Sequence, residues 1–298
     1  MSVLYDITLE IAYRYDSPAA SSRTLLRMLP LTGAGQQIIF GFVDTDPAPD
    51  FRHDDRDFFG NHTVEVAHDG RLSGLDFRFA GRVRRDAPES GLDLSCPLGV
   101  LRTELGGVLS VAPESPHHFV GPSERVRREP EITAFARGVT DPGMSALAAV
   151  EAVSHALHRD ISFDPTATVV TTDPLDAFRK RRGVCQDISH VMIAALRGIG
   201  IPAGYVSGFL RTNPPEGQPR LEGVDAMHAW VRAWCGLEAG WIEVDPTNDI
   251  RVATDHVAVA VGRDYADVAP IKGSLRAAGS HQTSHRVDVA PVEPLSPR

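Results

Sequence analysis

The most constraining stretch of this chain is Gly183-Val184-Cys185-Gln186-Asp187, where a thiol stands at the point at which a loop becomes a helix. Apolar residues recur behind it at helical spacing, namely Ile188, Met192, Ala195 and Ile199. This pattern predicts a helix with one buried face. Unpaired backbone N–H groups and the positive end of the helix dipole favour a thiolate in the first turn. The stretch therefore predicts a nucleophile, although a small buried thiol is the common alternative for a lone Cys.

Two later segments carry the side chains that such a thiol needs as partners. Alternation predicts a strand over 225–234, which contains His228, and another over 240–247, which contains Asp245. Adjacent antiparallel strands would place the imidazole beside the carboxylate and facing the helix of the thiol. The Cys would then be the nucleophile, the His the general base and acid, and the Asp the group that fixes the imidazole tautomer. Taken singly, a core histidine and a turn aspartate are the commoner interpretations.

Four segments resemble the bacterial transglutaminase-like superfamily, and they read GVCQD, GIPAGYVSGFL, HAWVRAW and GWIEVDPTND. The family has a papain-like core with a Cys-His-Asp triad. The resemblance, which runs from about Ser162 to Thr247, implies that Cys185, His228 and Asp245 form this triad. The region from Leu4 to about Arg84 resembles the β-rich N-terminal domain that accompanies the core in many bacterial members.

The first part of the chain has the pattern of an antiparallel β domain. Every second residue from Val3 to Tyr13 is apolar or aromatic, which predicts an amphipathic strand. These residues are Val3, Tyr5, Ile7, Leu9, Ile11 and Tyr13. Further strands are predicted over 22–31, 38–44 and 75–83. No long helical period appears before residue 85, so we predict an α+β protein. Its parts are a β-rich N-terminal domain over 1–85, a connector over 86–130 and a transglutaminase-like, papain-like cysteine-enzyme core over 131–298.

The predicted core alternates helices and strands. Helices are predicted over 131–138 and 145–159, and Asp173 followed by Pro174 predicts the capped start of the helix that leads to Cys185. Strands are predicted over 205–210, 256–261 and 287–292. A loop rich in Pro and Gly is predicted over 212–223, and residues 293–298 are predicted to be frayed.

Several other side chains are candidates for the site. The backbone N–H of Cys185 is a predicted oxyanion donor, and the Gln186 side chain is the second donor considered, although a first-turn Gln is commonly solvated. Trp230 shares parity with His228 and is predicted either to wall the site or to belong to the core. Asp187 is predicted to cap the helix.

No metal and no cofactor are expected. His281 and His285 stand four residues apart, as metal ligands on a helix do, but no third ligand accompanies them. A phosphate-binding glycine loop is not recognised in the sequence.

Composition limits the partners and the compartment. The formal charge of −9 argues against nucleic-acid binding, and the lack of an apolar stretch of about 20 residues argues against a membrane span. The start has no signal-like pattern, and three scattered cysteines fit a reducing compartment, so a cytoplasmic location is expected. The expected partner is a protein or peptide substrate. A homo-oligomer is compatible with the sequence, which does not specify an oligomeric state.

The predicted function is cysteine-dependent acyl transfer at amide bonds through a thioester. Hydrolysis, by a cysteine protease or amidase, is preferred over protein-glutamine gamma-glutamyltransferase activity because it requires only water. The three Trp residues all follow Cys185, unlike in animal transglutaminases, where an upstream indole stabilises the oxyanion. A non-catalytic binding module on a retained scaffold and metal-assisted hydrolysis are the rival interpretations.

Overall fold

The computed structural model describes residues 2–33, 35–88, 91–212, 225–276 and 279–292. The strands are β1 (Ser2–Leu26), β2 (Gln36–Asp46), β3 (Phe51–Arg56), β4 (His62–Asp86), β5 (Ser162–Phe163), β6 (Arg182–Gly183), β7 (Ala203–Leu210), β8 (Ala226–Trp234), β9 (Trp241–Asp245), β10 (Ile250–Arg251), β11 (His256–Gly262), β12 (Ile271–Arg276) and β13 (His281–Pro291). The helices are α1 (Leu101–Gly107), α2 (Pro130–Val139), α3 (Ala146–Asp160), α4 (Pro174–Lys180), α5 (Cys185–Gly198) and α6 (Tyr265–Val268), with a 3₁₀ turn at Pro116–Phe119.

The first sheet is antiparallel and is built on β1, which pairs with β4 along most of its length. The alternation predicted at the start of the chain is confirmed, because Tyr5, Ile7, Leu9 and Ile11 are buried on one face. The predicted separate strands over 22–31 and 75–83 are instead the ends of two 25-residue strands, β1 and β4. Register shifts between Arg14, Ala19 and Ser21 let β1 bend and continue, so no turn interrupts it.

Two strands from the far end of the chain complete this first sheet. β12 pairs with residues 21–26 of β1, and β13 pairs with residues 5–15. The predicted strand over 287–292 is therefore the end of a longer strand. The boundary predicted at residue 131 does not separate the two sheets, because β12 and β13 belong to the first. Most of the predicted loop over 212–223 and all of 293–298 lie outside the described residues.

The second sheet has the order β10-β9-β8-β7-β11 and is antiparallel throughout. The helix α5 packs on one face of it, since Ala229, Val231 and Ala233 of β8 share a core with Ile188 and the apolar residues that follow in α5. The helices α2, α3 and α4 surround α5. Two of the predicted helices, over 131–138 and 145–159, are confirmed as α2 and α3 within one residue at either end.

The helix preceding the thiol starts as predicted. Asp173 accepts a hydrogen bond from the Leu175 N–H at 2.9 Å, and Pro174 occupies the first turn of α4. The cap satisfies a backbone donor that the helix itself leaves free. The predicted position of this helix is therefore confirmed.

The two sheets pack against each other. Phe209 of β7 and Val257 of β11 belong to the core of the first sheet, and the Phe79 and Phe209 rings are stacked with centroids 6.3 Å apart. The side chain of Asn61 bonds to the backbone of β11 as a neighbouring strand would. It donates to the Val261 carbonyl and accepts from the Val261 N–H, both at 2.8 Å. The α+β prediction is confirmed. Across the described ranges, no helix is long and apolar enough to span a membrane.

Candidate active site

The start of α5 is held by a buried carboxylate. Asp187, 2% exposed, accepts from the Val184 N–H at 2.8 Å and from the Thr168 hydroxyl at 2.7 Å. A Cβ at Gly183 would lie 2.8 Å from the Cβ of Asp187, which is too close for any side chain at position 183. The predicted capping role of Asp187 is confirmed. It fixes the turn from which Cys185 projects.

Cys185 is the first residue of α5, and its half-buried side chain lines a cavity that His228 also lines. The N–H groups of the first helical turn have no carbonyl partner within the helix, so the dipole and these donors point toward the thiol. The sequence separates these two residues widely, and the structure brings them together.

His228 and Asp245 form a buried pair, with 2.7 Å between the imidazole Nε2 and the carboxylate Oδ2. The carboxylate is fully buried and His228 is 9% exposed. An ionised carboxylate only accepts, so Nε2 carries the proton and donates. The other ring nitrogen, Nδ1, is then the atom left for the thiol.

The pair sits on the face of the second sheet opposite α5. Ala229 and Val231 pack on α5, whereas Trp230, which shares parity with His228, packs with Val206 and Val252. The expectation that His228 faces the helix that carries Cys185 is met at the first residue of α5, where the imidazole interacts with the thiol. The ring reaches the shared cavity from near the start of β8.

The carboxylate of Asp245 accepts five hydrogen bonds from described residues. Its Oδ1 accepts from the Thr247 N–H at 2.9 Å and the Asn248 N–H at 3.2 Å. Its Oδ2 accepts from the Asn248 side chain at 2.7 Å and from the His256 Nε2 at 3.1 Å, in addition to His228. Burial raises the pKa of this carboxyl, but the hydrogen bonds to His228 and His256 outweigh burial and hold the pKa well below its usual range.

The charge state of His228 follows from its neighbours. Burial alone lowers the pKa of the imidazole. The hydrogen bond to Asp245 and the interaction with Cys185 outweigh that effect, and they raise the pKa of His228 to about 10. The site therefore favours an imidazolium held between the carboxylate and the sulfur.

A second imidazole, His256, was not identified from the sequence. It begins β11, is 1% exposed and packs edge-on against Trp230, with ring centroids 5.2 Å apart. Its Nδ1 is buried and has no hydrogen-bond partner among the described residues. A histidine at the start of a predicted strand carries no local signature, so only the fold reveals its contact with Asp245.

The ligand atoms of His228, Asp245 and His256 lie within 4.8 Å of one another, as in groups that hold a metal. Both Nε2 atoms, however, lie at hydrogen-bond distance from the same Oδ2, 2.7 and 3.1 Å. A zinc ion would need its own bonds of about 2.0–2.2 Å to each of these atoms, which requires the three side chains to separate. The observed spacing fits a hydrogen-bonded trio.

The two other predicted site residues occupy different positions. Gln186 lines the cavity, and its side-chain amide donates to the Val170 carbonyl at 2.9 Å. Trp230 is fully buried behind the imidazoles, where its Nε1 donates to the Glu243 carboxylate at 2.8 Å. The structure thus places Gln186 at the cavity and Trp230 in the core.

The cavity has a volume of about 540 Å³ and lies between the two sheets. Tyr205 of β7 lines it and is 2% exposed, with its ring against His190. Burial raises the pKa of the Tyr205 phenol well above its ordinary value, and the nearby Cys185 raises it further. The phenol therefore keeps its proton beside the thiol.

His281 and His285 lie on a strand and not on a helix. Residues four apart on a strand point to the same side, and both imidazoles line the cavity from β13. Their spacing thus reflects a shared sheet face.

Comparison with known proteins supports the fold. Residues 133–246 match the transglutaminase-like superfamily, and residues 5–84 match the bacterial transglutaminase-like N-terminal region. The structure is similar to the crystal structure of a candidate cysteine protease from Cytophaga hutchinsonii, with a TM-score of 0.75 over 99% of this chain and 92% of the other. Sequence identity to that chain is 19%, so the likeness is one of fold.

Two mycobacterial relatives, both uncharacterized proteins, match over nearly the whole chain. The relative from Mycobacterium tuberculosis is 30% identical over 97% of this chain and 93% of its own length. The relative from Mycobacterium leprae is 31% identical over 90% of this chain and 91% of its own length.

Proposed function

This chain belongs to the transglutaminase-like superfamily, and on that premise we propose that it hydrolyses amide bonds in a protein or peptide substrate. Cys185 is the nucleophile, His228 the general base and acid, and Asp245 the residue that orients the imidazole. The observation that carries the proposal is the position of His228. One ring nitrogen is bound to a buried carboxylate, and the ring shares a cavity with the thiol.

The reaction begins from the ion pair, in which the proton of the Cys185 thiol is already on Nδ1 of His228. The thiolate attacks the amide carbonyl, and the C–S bond forms as the carbonyl oxygen becomes negative. When the C–N bond breaks, the imidazolium gives its proton to the leaving amine, and a thioester remains. Water then attacks the thioester, with His228 taking its proton, and the carboxylic acid departs as the thiol is restored.

Asp245 makes both proton transfers efficient. Its hydrogen bond at 2.7 Å fixes which ring nitrogen faces the sulfur, and its charge stabilises the imidazolium in between. The donors that surround the carboxylate keep it ionised at neutral pH. It therefore holds the imidazole in place without taking up a proton.

The negative oxygen of the tetrahedral intermediate needs donors. The backbone N–H of Cys185 is one, since it lies in the first turn of α5. We assign the second to the phenol of Tyr205, because this buried side chain lines the cavity and remains protonated. The Gln186 amide, in contrast, already donates to a backbone carbonyl.

The test compares the wild type with Cys185→Ala on fluorogenic peptide amides and on glutamine-containing peptides, with and without an added primary amine. We expect the wild type to release amine or ammonia without incorporating the added amine, and Cys185→Ala to be inactive. Incorporation of the amine would instead establish a transglutaminase.

A thiol-labelling control separates an enzyme from a binding module. In an active site, iodoacetamide should label Cys185 rapidly, and His228→Gln should slow the reaction at neutral pH. Slow labelling that is unaffected by His228→Gln, together with no turnover, would overturn the enzymatic proposal. Turnover that survives Cys185→Ala and is abolished by a chelator would indicate metal-assisted hydrolysis.

A further inference from the structure

The wall of the cavity that faces the thiol comes from the other sheet. Cys185 and His228 line one side, whereas Ile11 and Tyr13 of β1 and alternate residues of β13 line the other. The sheet that contains none of the proposed catalytic side chains thus borders the space where an acyl group would lie.

Strand register explains this wall. In the antiparallel pair of β1 and β13, Ile11 is opposite His285 and Tyr13 is opposite Thr283. Directly opposed residues project from the same face of a sheet. Val287 and Val289, on this same face, are buried between the sheets. The face is therefore continuous, apolar where the sheets meet and open where they separate at the thiol.

The position of this wall relative to the catalytic strand is fixed by Asp225. This buried residue accepts from the Val289 N–H of β13 at 2.7 Å and from the Thr212 N–H at 2.6 Å. It directly precedes β8, the strand that carries His228. The hydrogen bond from Val289 to Asp225 therefore joins β13 to the start of β8, close to the imidazole of His228.

The chemistry of the lining selects against charge. Among the described residues that line the cavity there is no Asp, Glu, Lys or Arg. Apart from the Cys185–His228 pair, which is engaged in the reaction, the described lining offers no carboxylate, ammonium or guanidinium group to offset the hydration that a charged side chain would lose. The lining is dominated by apolar and aromatic side chains, including Ile11, Tyr13, Met227, Tyr265 and Ile271.

We propose that this cavity is the acyl-residue subsite, that it takes a large apolar or aromatic side chain, and that β1 and β13 select it. The inference rests on the proposed function, because it assumes that Cys185 attacks the carbonyl of the residue so bound. The acyl donor is then a peptide with Phe, Tyr, Leu or Met at the cleaved bond, in preference to the glutamine that a cross-linking enzyme needs.

The test measures binding on full-length Cys185→Ala, so that it does not depend on turnover. Acetylated tripeptide amides Ala-X-Ala, with X as Phe, Leu, Gln, Glu or Lys, are titrated by calorimetry. Burial of a large apolar side chain should make the Phe and Leu peptides bind about tenfold or more tightly than the Glu and Lys peptides.

A matched pair of variants locates the subsite. Thr283→Glu places a carboxylate on the cavity face of β13, whereas Ser284→Glu places the same charge on the opposite face. Both are made in the Cys185→Ala protein. We expect Thr283→Glu to lower the affinity for the Phe peptide about tenfold or more, and to raise the affinity for the Lys peptide relative to that for the Phe peptide. The affinities of Ser284→Glu should stay within about twofold of those of the Cys185→Ala parent.

Two results would overturn this inference: equal affinity for the Phe and Lys peptides, or equal effects of Thr283→Glu and Ser284→Glu. Both variants should keep their thermal unfolding midpoint, since positions 283 and 284 are exposed. Failure of the wild type to cleave any of these peptides would count against the hydrolase reaction alone, because binding selectivity still decides the subsite.

Discussion

His256 shares with His228 a single oxygen of Asp245, its Nε2 lying 3.1 Å from Oδ2. The carboxylate charge is thus divided between two imidazoles, of which one faces the thiol. His256 does not line the cavity of the thiol and is a positioning residue.

The first prediction concerns this second imidazole. His256→Phe removes one donor, so that more of the carboxylate charge acts on His228 and raises its pKa further. We expect kcat to fall about tenfold and the alkaline limb of the pH–rate profile to move to higher pH. His256→Gln keeps an N–H donor, so its kcat and the alkaline limb of its pH–rate profile should lie between those of the wild type and His256→Phe. An unchanged profile in His256→Phe would leave the residue a purely structural role.

The second prediction concerns stability against pH. Because the folded pKa of His228, about 10, exceeds the ordinary value of 6.5, its contribution is fully present below pH 6.5 and is lost as pH rises through 10. The free energy of unfolding in urea should therefore differ most between wild type and His228→Gln near pH 6. The difference should shrink by pH 9.5. A gap of constant size would contradict the raised pKa.

The third prediction concerns the turn before the thiol. In Gly183→Ala the new methyl group would lie 2.9 Å from the Asp187 Oδ2, which has to move and release the Val184 N–H. We expect a loss of about 1–3 kcal/mol in the free energy of unfolding, together with slower alkylation of Cys185 by iodoacetamide. Gly91→Ala, at a position where a Cβ meets nothing within 4 Å, is the matched control.

The fourth prediction concerns the second oxyanion donor. Tyr205→Phe removes only a hydroxyl, and loss of one such donor should lower kcat about 100-fold with KM little changed. Alkylation of Cys185 forms no oxyanion, so its rate should stay near that of the wild type. Tyr265→Phe, in the same cavity, is the control and should keep most of the activity. An equal loss of kcat in Tyr205→Phe and Tyr265→Phe would contradict the assignment of Tyr205 as the second oxyanion donor.

Local patterns were enough to predict parts of the fold. The buried alternation from Tyr5 to Ile11 and the start of α4 at Asp173 were predicted because each depends on neighbouring residues. The length of β1 was not, since its continuation past Arg14 depends on a bend in the pairing with β4. The membership of β13 in the first sheet was missed for a similar reason, because its partner lies at the other end of the chain.

The contact between His228 and Asp245 was predicted, but the full site was not. Each of these residues stands within a recognisable segment on a predicted strand. His256 and Tyr205 stand in strands whose only sequence signal is alternation, which specifies a face and not a neighbour. The two histidines of β13 illustrate the same limit, because their spacing was weighed only as a metal-ligand pattern, whereas their place in the cavity lining depends on the pairing of β13 with β1.

The pairing of β1 with β13 also bears on biosynthesis. On a ribosome, residues 2–26 are synthesised well before residues 271–291, so one edge of β1 stays unpaired until those later residues have left the exit tunnel. Joining such distant segments costs loop-closure entropy and makes folding slow. Because β13 also forms a wall beside the thiol, a nascent chain would carry Cys185, His228 and Asp245 without a complete cleft. The proposed active site would thus stay incomplete until β13 has been synthesised and has paired with β1.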